Sequence, residues 1–294
     1  MENKYALFLG CTIPLRSRHY EKSAVEVARL FGAELEPLQD FACCGFPIKS
    51  ASREAALLLA ARNLAVAEEA GLEILGLCSS CVSTLAEAAE ELAEDDDLRA
   101  KVNEKLAKVG RKVEKPPRVR HFARWLYEEV GPEGIKEKVV APLGDFRFAV
   151  HYGCHYLKPS WAFHDAEDSE APHSIGDLLR ATGAEVVDYA EYKKCCGGAL
   201  LAIDEELSLA IAGEKLTRVK AAAPDAFVLV CPFCAVMYDD NQGKVAAHLE
   251  RELGVPVLFL PQVLGLALGL SAKDVHLKLA KNKCEKLIAA FAEG

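Results

Sequence analysis

The chain reads ACCGF at residues 42–46 and KCCGG at 194–198, and the sequence around these two stretches repeats. ALFLGC (6–11) answers AVHYGC (149–154). LFGAELEPL (30–38) answers ATGAEVVDY (181–189), and LGLCSSC (75–81) answers VLVCPFC (228–234). Ten of the 11 cysteines fall into two sets of five. The first is Cys11, then Cys43-Cys44 after 31 residues, then Cys78 and Cys81 after 33 more. The second is Cys154, then Cys195-Cys196 after 40 residues, then Cys231 and Cys234 after 34 more. The longer spacing in the second copy falls in the polar stretch from His164 to His173. Five cysteines recurring with their flanks mark a duplicated unit.

Each copy has the same plan. Apolar runs at Tyr5 to Leu9 and Phe146 to Tyr152 end in Gly-Cys and predict first strands. Helical patterns follow at 20–31 and 174–181, second strands at 34–38 and 185–189, and Cys-Cys-Gly in a turn. Ala- and Leu-rich helices at about 50–70 and 203–221 lead to third strands at 73–77 and 226–230, which run into C-x2-C. Alternating strands and helices predict an α/β fold: two pseudo-symmetric Rossmann-like repeats with parallel sheets, each ending in a Cys-Cys-Gly site. The expected division is 1–120 for the first repeat with a charged helical linker and 121–294 for the second. Residues 86–120 turn from acidic to basic and read as a solvated helix and linker, and 121–130 as an amphipathic helix on the core. In open α/β sheets ligands sit at the carboxyl ends of strands, so the five cysteines of a copy converge there.

The 294 residues are 51% hydrophobic and 27% charged, enough to bury a sizeable core. A net charge of −9 argues against nucleic acid as a partner. The odd cysteine count does not suit a fully paired secreted framework. The N-terminus lacks the small-residue cleavage site of a secretory signal. A cytoplasmic location is expected, where clustered cysteines serve metals or catalysis more than disulfides. The uncharged stretch Leu253–Ala272 is broken by Pro256, Pro261 and Gln262, so it reads as a buried strand and packed helix and not as a transmembrane segment. No G-x4-G-K-[ST] or G-x-G-x2-G motif is present, so no nucleotide or flavin is expected.

C-x2-C pairs are common at zinc sites, but zinc takes four ligands and each copy offers five. Five crowded thiolates also repel unless several cations lie among them. A multi-iron cluster meets both conditions. Zinc in one repeat, with a spare thiol, or inert buried cysteines are the alternatives. Cys284, in a Lys-rich terminal helix, has no counterpart and reads as a free structural cysteine.

These motifs carry a resemblance. GCTIPLR after the first strand, HYGCHYLKPS opening the second copy, CPFC-x3-YD and PVLFLPQVLGLALG resemble the B-subunit family of heterodisulfide reductase, over nearly the whole chain. The wider Cys-Cys-Gly family also includes iron–sulfur subunits of glycolate, lactate and glycerol-3-phosphate oxidation and of some succinate:quinone reductases. The resemblance implies two non-cubane [4Fe-4S] clusters facing a substrate cavity. Cys11, Cys43, Cys44, Cys78 and Cys81 would hold one, and Cys154, Cys195, Cys196, Cys231 and Cys234 the other. It implies a small-molecule disulfide substrate, that of coenzyme M and coenzyme B or a related one. It implies electrons from the ferredoxin-like C-subunit of such a complex, and ultimately from its flavin-containing A-subunit. A disulfide takes two electrons and a cluster normally passes one, so a duplicated motif offers one electron to each sulfur. His155, next to Cys154, is the expected proton donor to the product thiolates, with His151 nearby. Arg16, Arg18, Lys49, Lys158, Lys193 and Lys194 flank the cysteine elements and are candidates to bind an anionic substrate. The rival is an electron-transfer subunit without its own disulfide site. The chain's lack of a ferredoxin C-x2-C-x2-C-x3-C-P motif favours the substrate-facing role.

Overall fold

A computed structural model of the chain describes residues 3–164 and 166–292. The first half runs β1 (Asn3–Phe8), the single turn α1 (Ile13–Arg16), α2 (Arg18–Leu30), β2 (Ala33–Glu36), α3 (Arg53–Glu69), β3 (Ile74–Gly76), α4 (Ser79–Glu94), α5 (Asp96–Leu106) and β4 (Val119–His121). Two short helices, α6 (Phe122–Trp125) and α7 (Gly131–Glu137), lead into the second half. That half runs β5 (Arg147–His151), α8 (Ser174–Arg180), β6 (Glu185–Val186), α9 (Glu205–Ala221), β7 (Ala226–Leu229), α10 (Pro232–Ala235), α11 (Gln242–His248), β8 (Val257–Phe259), α12 (Leu260–Ala267) and α13 (Glu285–Ala290).

The halves form two parallel four-stranded sheets of the same order, β2-β1-β3-β4 and β6-β5-β7-β8. The α/β fold with two pseudo-symmetric repeats is therefore as the sequence predicts. The central strands β3 (ILG) and β7 (AFVL) are buried along their whole length, as parallel strands covered on both faces must be. Equivalent caps start the helices that follow Cys-Cys-Gly. Ser52 accepts from the Ala55 N–H to open α3, and Asp204 accepts from the Leu207 N–H to open α9. Each cap satisfies a donor that the first helical turn leaves free.

The halves meet through side chains near the cysteines. Tyr20 on α2 stacks on Phe259 at the end of β8, with centroids 4.0 Å apart and planes within 5°. Its hydroxyl donates to the Val230 carbonyl at 3.1 Å. His121, ending β4, bonds the same carbonyl at 2.8 Å through Nε2. The His121 Nδ1 accepts from the Ala123 N–H, which leaves the ring proton on Nε2 to donate. Ser83 on α4 donates to the Lys158 carbonyl, and Arg124 to the Tyr156 carbonyl.

Three readings change. The charged segment 86–120 is not a solvated linker: Ala88, Ala89 and Leu92 of α4, Val102 and Leu106 of α5, and Val113 are buried. It ends in β4, which completes the first sheet and lies across residues 119–121, where the sequence reading divides the halves. The Lys-rich stretch before Cys284 is not one helix, because α13 starts only at Glu285. Cys284 itself is buried, its thiol 3.3 Å from the Asp225 carbonyl. The uncharged stretch forms β8 and the wholly buried α12, as expected, and no helix among the described residues is long and apolar enough to cross a membrane.

Two tests follow from this interface. Tyr20→Phe removes one hydrogen bond and is expected to cost about 1 kcal/mol, while Tyr20→Ala also empties the stack and is expected to cost about 3–5 kcal/mol. Anaerobic denaturant unfolding measures both; equal losses would mean that the stack contributes nothing. Burial holds His19 at a pKa of about 4, despite the opposing pull of Asp239. Between its ordinary 6.5 and 4 the unfolded chain binds a proton that the folded chain does not, so stability falls as pH drops through that window. His121, also held at about 4 by burial, acts in the same direction. His19→Gln is expected to flatten the fall, by on the order of 3 kcal/mol at its acid end.

Candidate functional site

The single cysteines and the C-x2-C elements lie at the carboxyl ends of the central strands, and each Cys-Cys pair lies in the loop after the edge strand β2 or β6. Cys11 follows β1 and Cys154 follows β5. Cys78 and Cys231 follow β3 and β7 and cap the helices that contain Cys81 and Cys234. A helix N-terminus supplies N–H groups that favour thiolate. In each half the second cysteine of the pair and both C-x2-C cysteines are buried, and the other two lie nearer the surface.

The pairs sit in turns shaped by glycine. Gly45 has φ +94° and Gly197 φ +79°. A Cβ at Gly45 would lie 2.7 Å from the Ala56 carbonyl oxygen, and one at Gly197 2.9 Å from that of Ser208, the equivalent residue. Only glycine allows the pair to lie this close to the helix that follows. Each helix also reaches back to hold the loop. Asn63 accepts from the Ala42 N–H and donates to the Cys43 carbonyl. Lys215 donates to the Tyr192 carbonyl at 2.7 Å.

The two cysteine sets meet. Cys78 and Cys231, from opposite halves, have their sulfurs 3.9 Å apart, and Cys154 and Cys195 are also 3.9 Å apart. Hydrogen bonding to Cys231 drives Cys78 up in pKa, and hydrogen bonding from Cys234 and then Cys78 draws Cys231 down. Cys154 and Cys195 divide in the same way, Cys195 being the thiolate. Such contacts run on in a row: Cys44 to Cys81 to Cys78, across to Cys231, then to Cys234, Cys196, Cys195 and Cys154. Cys43 adjoins Cys44, and Cys11 lies exposed at the outer end of its set.

A zinc ion needs four donors about one point. Among the described residues no three His, Cys, Asp or Glu side chains are so placed. Thiolates are the usual ligands of iron–sulfur clusters, and a row of ten of them is a donor set suited to several metal atoms bridged together. The surroundings fit an anionic group. His151, ending β5, is buried with neither ring nitrogen bonded, and its Nε2 and the Cys234 sulfur both lie within 4 Å of where a Cβ on Gly153 would stand.

A cavity of about 40 Å³ opens beside the second set. All five second-half cysteines line it with His155, while Phe46, Ser79 and Ser80 reach in from the first half. The His155 Nδ1 lies 3.1 Å from the Cys154 sulfur, and Phe46 packs edge-on to its ring at 4.7 Å. Burial lowers the His155 pKa. The expected basic residues are mostly engaged: Arg16 with Asp240, Lys49 with Glu87, Lys193 with Glu170, and Lys194 with Glu191 and Glu214. Arg18 and Lys158 stand exposed. A wider depression of about 600 Å³, between Pro132 and Gly183, contains no cysteine or histidine. Sequence reasoning passed over Tyr20, Asn63, His121 and Lys215. Aligning the two post-cysteine helices would have exposed Asn63 and Lys215, polar residues at equivalent places in Ala/Leu-rich segments.

The cysteine-rich CCG domain model matches residues 5–86 and 148–239. The chain is 35% identical to the B-subunit of the ferredoxin/F420H2-dependent CoB-CoM heterodisulfide reductase of Methanosarcina acetivorans, over 94% of this chain and 92% of that one. It is 35% identical to a protein of Archaeoglobus profundus described as like the heterodisulfide reductase B-subunit, over 92% and 93%. It is 32% identical to the 8-methylmenaquinol:fumarate reductase membrane anchor subunit of Wolinella succinogenes, over 94% and 96%. A crystal structure of a hypothetical protein from Helicobacter pylori shares the fold, with a TM-score of 0.80 at 20% identity over 96% of this chain and 52% of that one.

The glycine turns can be tested against a control. Gly71, with φ +67° and nothing within 4 Å of an added Cβ, isolates the backbone strain, expected at about 1–2 kcal/mol for Gly71→Ala. Gly45→Ala and Gly197→Ala add an overlap with backbone and are each expected to unfold at clearly lower denaturant. Equal midpoints for all three variants would show that the close approach is not a constraint.

Proposed function

The chain belongs to the heterodisulfide reductase B-subunit family of cysteine-rich CCG proteins, and from that premise we propose that it is the catalytic iron–sulfur subunit of a disulfide-reducing complex. The observation that supports this reading most is the meeting of two five-cysteine sets at the joint between the halves, with Cys78 and Cys231 in contact. Cys11, Cys43, Cys44, Cys78 and Cys81 would hold one non-cubane [4Fe-4S] cluster, and Cys154, Cys195, Cys196, Cys231 and Cys234 the other. Such clusters would supply one-electron reduction, two of them matching the two electrons that turn a disulfide into two thiols, while the two protons come from side chains or water.

The residues of the chain have separate tasks. Phe46, Phe233 and Ala199 give the cavity an apolar wall beside the cysteine sulfurs. His155 stands on that wall as the side chain placed to pass a proton to a product thiolate. The substrate is the heterodisulfide of coenzyme M and coenzyme B or a related small disulfide. Electrons come from a ferredoxin-like C-subunit, fed in turn by a flavin-containing A-subunit. The Wolinella relative supports a second reading, an electron-transfer subunit of another oxidoreductase without its own disulfide site.

Anaerobically purified protein is expected to hold about eight irons and matching sulfide per chain. With a reduced viologen dye as donor it is expected to convert the heterodisulfide to two thiols. His155→Gln is expected to keep the iron and lower kcat at least roughly tenfold. Zinc in place of iron would sink the redox reading. Full iron, with spectra and disulfide levels unchanged by substrate, would select the electron-transfer reading.

A further inference from the structure

The two halves superpose closely in sequence position around Cys-Cys-Gly. Gly45 and Gly197, the caps Ser52 and Asp204, and the 17-residue helices α3 and α9 all stand 152 positions apart. By the same offset Lys215 is the counterpart of Asn63. Both are buried, 2% and 0% exposed, and both tie the helix to the loop before the cysteine pair. They differ in charge. Asn63 completes its bonds as a neutral amide. Lys215 carries an ammonium group into the core, where it has the Tyr192 carbonyl and the face of Tyr189, at 5.6 Å, and no carboxylate partner among the described residues. Burial draws its pKa down to about 8, which leaves it cationic at neutral pH; Cys234, Cys196 and Cys195 oppose that fall.

A buried charge is retained only where something of opposite sign compensates it. The ammonium is anchored on the Tyr192 carbonyl, three residues before Cys195, and the second-half cysteines are the groups that hold its pKa up. A five-thiolate cluster there would be anionic, and adding an electron makes it more so. We propose that Lys215 breaks the symmetry of the duplicated site, stabilising the reduced form of the second-half cluster so that it accepts an electron more readily than the first. This rests on the cluster assignment above. The step is a one-electron reduction by an external one-electron donor, with no bond made or broken and Lys215 keeping its proton. Lys215 is thus a positioning and electrostatic residue, since it touches neither substrate nor sulfur.

The test is an anaerobic redox titration of the whole chain against one-electron mediators, read by EPR, with iron and sulfide measured first. The wild type is expected to show two separate reduction steps. Lys215→Gln keeps a donor for the Tyr192 carbonyl and removes only the charge; Lys215→Met removes both. Each is expected to shift the easier step at least tenfold toward the oxidised form, about 59 mV for one electron, and to leave the other step in place. A shift in Met that Gln restores would assign Lys215 to loop support alone and overturn the inference. Unchanged potentials in both variants would overturn it too, as would loss of half the iron in both. Wild-type protein without iron would overturn the cluster assignment itself, a different and prior failure.

Discussion

The Val230 carbonyl accepts hydrogen bonds from Tyr20 and His121, both from the opposite half of the chain, and the placement of the sulfur atoms depends on that double anchor. Val230 directly precedes Cys231. Holding its carbonyl fixes where β7 ends and where its cysteines begin. The stack of Tyr20 on Phe259 adds a flat apolar contact that resists sliding between the halves. His121 contributes only as a neutral ring, which its burial ensures. Without this joint each half would be a sheet with five thiols at its edge. With it, the thiols form one row that passes from one half into the other.

Much of this was legible in the sequence because cysteine positions are discrete and the repeat preserves them. The parallel order followed from alternating strand and helix signals, and the carboxyl-end location from the place of each Gly-Cys and C-x2-C after an apolar run. What composition concealed was segment 86–120. Its charges lie on the outward faces of α4 and α5, while Leu92, Val102 and Leu106 face the core, and an average over the stretch hides that division. The Lys-rich stretch before Cys284 misled in the opposite sense, since helix-favouring residues do not make a helix without packing or caps. Contacts such as Tyr20 to Val230 join residues far apart in the chain and leave no local pattern to read.

The duplication is close in backbone and looser in chemistry. Asp204 for Ser52 as a cap keeps the same bond. Where the halves approach their sulfur atoms the exchanges are less neutral. In the aligned ends of β1 and β5, His151 takes the place of Phe8, whose ring packs on Phe41. His151 stays neutral, its pKa pressed to about 3 chiefly by burial and next by the Lys215 charge. Thr12 stands where the second half has His155. The second half therefore places imidazole rings where the first half has a phenyl ring and a hydroxyl, and it also supplies every cysteine of the cavity wall. The first half supplies Phe46, Ser79 and Ser80, groups that shape the space without redox chemistry.

The Tyr20 hydroxyl and its acceptor are 210 residues apart. On a chain made from its N-terminus, α2 is complete long before β7, β8 and α12 exist, so the first half leaves the ribosome with its joint face uncovered and Cys78 lacking the sulfur it will meet. Contacts of such separation close late and slowly. The order of synthesis thus imposes an interval in which the five first-half thiols stand without the five that will meet them, so the row of sulfur atoms is complete only once β7 and β8 have emerged.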